Sequence, residues 1–157
     1  MRIKLLIFFT IFFTGCSTTY QSQGLSGGFT ETALRSDFYK VTFAGNGFTS
    51  SDKTYDFAIL RAAEIALKSN YSYMLITDSN NKITSTTTGG NTYVPSAYNQ
   101  SGFAKGFAAG SGSMYPITVN KPSTTIYVRF LKNSDNNPQI LDVEFIINTV
   151  KSKYDIK

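Results

Sequence analysis

Any chemistry this chain performs has to be done without histidine, because its 157 residues contain none. That removes the commonest general base and the commonest transition-metal ligand together. Ser-His-Asp and Cys-His hydrolases and His-based zinc sites go with them. The one cysteine, Cys16, has no disulfide partner. Carboxylates remain, and Asp52, Asp56, Glu64, Asp78, Asp142 and Glu144 are the ones to weigh. Glycoside hydrolysis needs two of them facing one another across a cleft. Asp142 and Glu144 would share a face in a strand, but they diverge on the helix expected there. Asp78-Ser79-Asn80-Asn81-Lys82 begins like a calcium loop, yet Lys82 falls on the fifth ligand place, Ile83 on the glycine place and Gly89 on the bidentate glutamate place. A plain turn is expected there instead. Gly45-Asn46-Gly47-Phe48-Thr49-Ser50 stands between a strand and a helix, with Ser50 where a dinucleotide fingerprint needs its third glycine. It too reads as a turn, and no catalytic set, metal or diffusible cofactor is expected.

The residues before Cys16 give that cysteine a different chemistry. Arg2 and Lys4 form a short positive region, Leu5 to Phe13 an apolar one, and Thr14-Gly15-Cys16 a small-residue exit, which together make an export signal. The apolar run has roughly half the about 20 residues that a membrane-spanning helix needs. Phe13-Thr14-Gly15-Cys16 resembles the lipobox of bacterial lipoproteins, with Phe13 in place of the usual Leu. That resemblance implies removal of residues 1–15 as a signal peptide. It also implies a covalent lipid on Cys16: a diacylglycerol thioether and usually an amide-linked third chain. Each buried CH₂ yields about 0.8 kcal/mol, so two or three acyl chains make detachment negligible. Cys16 then serves as an anchor to the membrane. Ser17 resembles the residue choice of lipoproteins sorted onward to the outer membrane, since Asp at that place commonly marks inner-membrane retention. The alternative is a secretory signal with a coincidental cysteine, giving a secreted protein without lipid, or an apolar N-terminus that stays on.

The rest of the chain must position whatever acts. Arg2 and Lys4 leave with the signal, so 13 basic against 10 acidic side chains lower the net charge from +5 to +3. The basic residues are scattered, which argues against nucleic-acid binding. Residues 16–28, polar and rich in glycine, read as a flexible tether, and residues 29–157 as one globular domain. Phe29 to Leu34 is expected to hold a short strand or turn. Phe38 to Phe43 alternates so that Tyr39, Val41 and Phe43 share one face of a strand, which stops at Gly45-Asn46-Gly47, a turn tolerant of positive φ.

A helix is expected from Ser51 or Asp52 to Ser69, with Ser50, Ser51 and Asp52 as candidate N-caps. Ile59, Ala62, Ala63 and Ala66 centre its apolar face, while Arg61, Glu64 and Lys68 gather opposite as ordinary i, i+3 and i, i+4 pairs. Asn70 terminates the helix, and Tyr71 to Asp78 follows as a strand whose Met74-Leu75-Ile76 run suggests burial on both faces. Strand, helix, strand is the βαβ pattern, so the strands at 38–43 and 71–77 are expected as parallel neighbours. Residues 84–122 read as a long irregular excursion carrying Tyr93, Tyr98, Phe103, Phe107 and Tyr115. A further strand spans Ser123 to Leu131, and Ile140 to Tyr154 is expected as a C-terminal helix. The fold class is α/β, with α+β as the alternative, in a small single-domain sandwich.

Three stretches beyond the lipobox carry a second resemblance: Gly28-Phe29-Thr30-Glu31-Thr32, Val41-Thr42-Phe43-Ala44-Gly45-Asn46-Gly47-Phe48-Thr49-Ser50 and Asp56-Phe57-Ala58-Ile59-Leu60-Arg61-Ala62-Ala63-Glu64. Together they look like a family of small proteobacterial lipoproteins with no assigned activity. The likeness spans roughly residues 13–77. It implies a membrane location and a compact α/β domain, and it singles out Gly45, Asn46, Gly47, Arg61 and Glu64. The function expected is a lipid-anchored envelope lipoprotein that binds a partner protein or envelope component without catalysis, or a structural accessory. The rival is an envelope hydrolase working with carboxylates only.

Overall fold

The computed structural model describes residues 17–88, 117–134 and 137–157. The export signal, Cys16 and the aromatics Tyr93, Tyr98, Phe103, Phe107 and Tyr115 lie outside the described residues. The strands are β1 (Gly28–Arg35), β2 (Phe38–Ala44), β3 (Tyr73–Thr88), β4 (Ile117–Leu131) and the two-residue β5 (Leu141–Asp142). The helices are α1 (Ser51–Lys68), between β2 and β3, and α2 (Val143–Tyr154) at the end. The strands form one antiparallel sheet in the order β1-β2-β4-β3-β5, and both helices pack with it into a mixed α+β domain.

The expected neighbourhood of β2 and β3 is corrected by β4. Both strands pair antiparallel with β4, so they run the same way with β4 between them. The reason lies in burial: Thr124, Ile126, Val128 and Phe130 alternate along β4 and are all at most 2% exposed. The strand with the most continuous buried stripe takes the centre, where both neighbours and α1 can cover it. Val41 and Phe43 of β2 and Met74 of β3 complete that layer. Leu75 and Ile76 are only half-buried, so β3 is buried on one face and not on both.

Helix α1 forms where the sequence places it. Ser50 is the N-cap, its hydroxyl accepting from Lys53 N at 3.2 Å. At the other end Asn70 takes φ 60°, while Asn70 N donates to Leu67 O and Tyr71 N to Ala66 O, the double bond of a Schellman ending. Ala62, Ala63 and Ala66 have no exposed surface, and their small side chains let the helix axis approach the sheet. Phe57 is buried too, although it stands four residues before Arg61 on the side expected to be polar. Tyr20, Phe43 and Tyr154 surround it edge-on, with ring centroids 5.3, 5.0 and 4.9 Å away. That side of α1 is covered by α2 and by the segment before β1. α2 starts at Asp142, which accepts from Phe145 N at 2.8 Å, so the ambiguous last element is a helix capped by one of the weighed carboxylates.

Two expected irregular regions are ordered strand. The stretch Asp78 to Lys82, expected as a turn, belongs to β3, and the two ends of the expected excursion, residues 84–88 and 117–122, pair as extensions of β3 and β4, while residues 89–116 lie outside the described residues. From Ile83↔Pro122 outward only these two strands pair. Asp78 to Thr86 are all exposed. A strand segment whose side chains are exposed on both faces needs no apolar alternation, so the stretch from Asp78 to Thr86 carries none.

Candidate functional site

The segment expected as a flexible tether is part of the fold. Thr18 is 1% exposed. Its amide donates to Thr49 Oγ1 at 2.9 Å, its hydroxyl donates to the Ser26 carbonyl at 2.6 Å, and the same oxygen accepts from Asn46 N at 2.9 Å. Phe29 N donates to Gln21 O, and Gln23 N donates to Phe29 O, so the chain doubles back along its own continuation. The glycines that suggest flexibility serve close approach here. Gly27 and Gly28 hold φ of +99° and +136°, and a Cβ on Gly27 would run into the Ala44 carbonyl. One on Gly28 would sit 2.5 Å from the Gln21 carbonyl. Only glycine takes those dihedrals in that space.

Gly45, Asn46 and Gly47 form the other wall of this seat. Asn46 Oδ1 accepts from Phe48 N at 3.0 Å and from Thr49 Oγ1 at 2.9 Å, which fixes the turn, and Gly45 N donates to Pro122 O at 2.8 Å. Neither glycine has positive φ, contrary to the reason expected for them. Their reason is room. A Cβ on Gly45 would sit 2.8 Å from Thr49 Cβ and 3.0 Å from Thr54 Cγ2, and one on Gly47 would meet Val119 Cγ1. The turn therefore packs tightly onto the start of α1 and the root of the β3–β4 arm.

Arg61 and Glu64 hold the same segment further along. Tyr20 donates its hydroxyl to Glu64 Oε2 at 2.6 Å, and Arg61 lies 4.2 Å from the ring centroid of Phe29. Arg61 forms a two-point pair with Glu31 of β1, Nη2 to Oε1 at 2.6 Å and Nε to Oε2 at 3.2 Å, and reaches Glu64 at 3.5 Å. Glu64 also meets Lys151 Nζ of α2 at 3.4 Å. The partners Glu64 takes are thus Tyr20, Arg61 and Lys151, rather than the Lys68 expected from helix spacing. Burial first, and the Glu64 hydrogen bond second, hold the Tyr20 phenol protonated far above its ordinary range. Hydrogen bonding to Glu31 raises the Arg61 pKa further and keeps that guanidinium charged. A second cluster joins the helices: Asp56 Oδ2 accepts from Lys153 Nζ and from the Tyr154 hydroxyl, both at 2.7 Å.

The five positions the sequence singles out therefore meet in one structural role. Asn46 receives Thr18 in a turn that Gly45 and Gly47 let pack against Thr49, Thr54 and Val119, while Glu64 receives Tyr20 and Arg61 covers Phe29. Sequence reasoning missed the receiving partners. Thr18 and Tyr20 sit in a stretch whose composition mimics a linker, and the spacing of Gly27-Gly28 against Gly45 would have been the only signal. Glu31, Glu64 and Asp56 all have cationic partners, and the described residues contain no group of three His, Cys, Asp or Glu able to hold a metal. No family model, curated protein or solved structure matches the chain.

Proposed function

We propose that this chain is a lipoprotein of the bacterial envelope, anchored to the outer membrane through acyl chains on Cys16, whose domain is a non-enzymatic binding or structural accessory for an envelope partner. The observation that carries the reading is how far back the ordered contacts reach. Lys53 Nζ donates to Ser17 Oγ at 2.7 Å and Thr18 is buried, so the two residues directly after the cysteine are held against the domain. An anchor on Cys16 would therefore join the domain without an intervening linker. Among the described residues no helix is long and apolar enough to cross a membrane. Two of the carboxylates weighed for catalysis, Asp56 and Glu64, are engaged instead by Lys153 and Tyr154 and by Tyr20, Arg61 and Lys151, which supports the non-catalytic part.

The test is metabolic labelling with palmitate followed by fractionation. Label should enter the wild-type chain and be absent from Cys16→Ala, which should move to the soluble fraction. Equal labelling of the two would reject the anchor. Crosslinking of intact membranes followed by purification of the tagged chain should then retain a defined envelope component; recovery of the chain alone would remove the accessory role.

A further inference from the structure

Two large apolar side chains stand in solvent on turns that are tied to Thr18, two residues after Cys16. Leu25 is fully exposed and Phe48 is 78% exposed. Leu25 lies at the tip of the tight turn closed by Gly24 and Gly27, and the next residue, Ser26, accepts the Thr18 hydroxyl. Phe48 lies in the Asn46–Thr49 turn, whose Asn46 amide donates to that same hydroxyl oxygen. One buried side chain therefore ties together the two turns that carry the exposed apolar residues. Cys16 precedes Thr18 by two residues, a reach of at most about 7 Å even when fully extended.

Single exposed apolar residues are ordinary and need no explanation. These two differ in sharing an anchor point. A lipid on a long flexible tether leaves a domain free to tumble above the membrane, whereas a lipid two residues from a buried threonine forces the surface around that threonine against the headgroups. That surface presents Leu25, Phe48 and the Lys53 ammonium beside Ser17, an apolar pair with a cation of the sign that lipid phosphates attract.

We propose that the surface around Ser17 seats directly on the bilayer, with Leu25 and Phe48 entering the boundary between headgroups and acyl chains. The domain is thereby held in one orientation, with the β1–β2 hairpin end turned away. This rests on the reading that Cys16 carries the anchor. Side chains of interfacial segments reach about 5–10 Å into that boundary, within range of quenchers on the upper acyl chain.

The chain has no tryptophan, so one substitution makes a unique fluorescent probe. The lipidated full-length protein is prepared as Leu25→Trp, Phe48→Trp and, at the β1–β2 end, Leu34→Trp; all three positions are at least 46% exposed. Each is reconstituted into vesicles of phosphatidylethanolamine and phosphatidylglycerol, with and without brominated acyl chains. The probes at 25 and 48 should shift to the blue and lose most of their fluorescence to bromine, while the probe at 34 stays unquenched. Quenching at 25 and 48 no greater than at 34 overturns the seating. Mass spectrometry of the N-terminal peptide is run on the same samples. An acylated, vesicle-bound protein with unquenched probes refutes this inference alone, whereas an unmodified Cys16 refutes the anchor and the seating together.

Discussion

Replacing Thr18 by Val tests whether the segment after Cys16 is a structural part of the domain. The substitution keeps the branched shape and removes only the hydroxyl, which makes three contacts: a donation to Ser26 O, an acceptance from Asn46 N and one from Thr49 Oγ1 at 3.1 Å. Each hydrogen bond contributes about 0.5–1.5 kcal/mol net, so three independent losses would total about 1.5–4.5 kcal/mol. They are not independent. Thr49 Oγ1 has a second acceptor in Asn46 Oδ1 at 2.9 Å, and Asn46 N has a second acceptor in Thr49 Oγ1 at 3.3 Å. The group left stranded is the Ser26 carbonyl, on an exposed turn that water can reach. The expected loss is therefore at the low end, about 1–2 kcal/mol. At about 2–4 °C per kcal/mol for a chain of this size, Tm should fall by roughly 2–8 °C. Because the loss is local, amide exchange resolved by residue discriminates better than Tm. Protection should drop at Thr18, Asn46 and Phe29, whose amides bond within the seat, and stay unchanged at Val128 in the sheet centre. Unchanged exchange at the first three would mean that the segment is not held by this residue. A uniform rise including Val128 would mean that it is integral to the global fold.

Three further outcomes follow from the same contacts. Gly45→Ala should destabilise by about 1–3 kcal/mol and Gly47→Ala by less, because Gly45 is walled by buried Thr49 and Thr54 while Gly47 faces one half-buried valine; urea midpoints in the reverse order would refute the packing explanation. Arg61→Met removes the two-point pair with Glu31, and a double-mutant cycle with Glu31→Gln should return a coupling on the order of 1 kcal/mol, the upper end for a partly exposed pair. No coupling would reduce the pair to decoration. The raised Tyr20 pKa means that the folded state keeps a proton which the unfolded chain loses above the ordinary tyrosine value near about 10. That stabilisation is full below about pH 10 and is lost as pH rises beyond it. Tyr20→Phe should flatten the alkaline decline of unfolding free energy, and an unchanged slope would show that the phenol is free to ionise.

The legible parts of this protein are those whose signals act over a few residues. The cap at Ser50, the αL stop at Asn70 and the alanine face of α1 are local matters of hydrogen bonding and helix period, and each is found where the spacing puts it. The alternation at Tyr39, Val41 and Phe43 and at Ile126, Val128 and Phe130 marks half-buried strands in the same way. Arg61 and Glu64 were visible as a charged pair on a helix, and their true partners were not. Glu31, Tyr20 and Lys151 come from three other elements. The outer part of β3 escaped for the opposite reason: Asp78 to Thr86 are exposed throughout and so leave no periodic trace.

By itself the sequence determined the chemistry closed off by the absence of histidine and most of the elements, since each depends on residue types alone or on their spacing within a single turn or strand. Only the tertiary structure decided that β4 stands between β2 and β3. It also decided that Gly27, Gly28, Gly45 and Gly47 serve close packing, and that residues 17–28 are seated against the Asn46–Thr49 turn and against Arg61 and Glu64 of α1. Those outcomes depend on which surfaces meet, and a glycine that lets two backbones touch is written with the same letter as one that lets a linker swing.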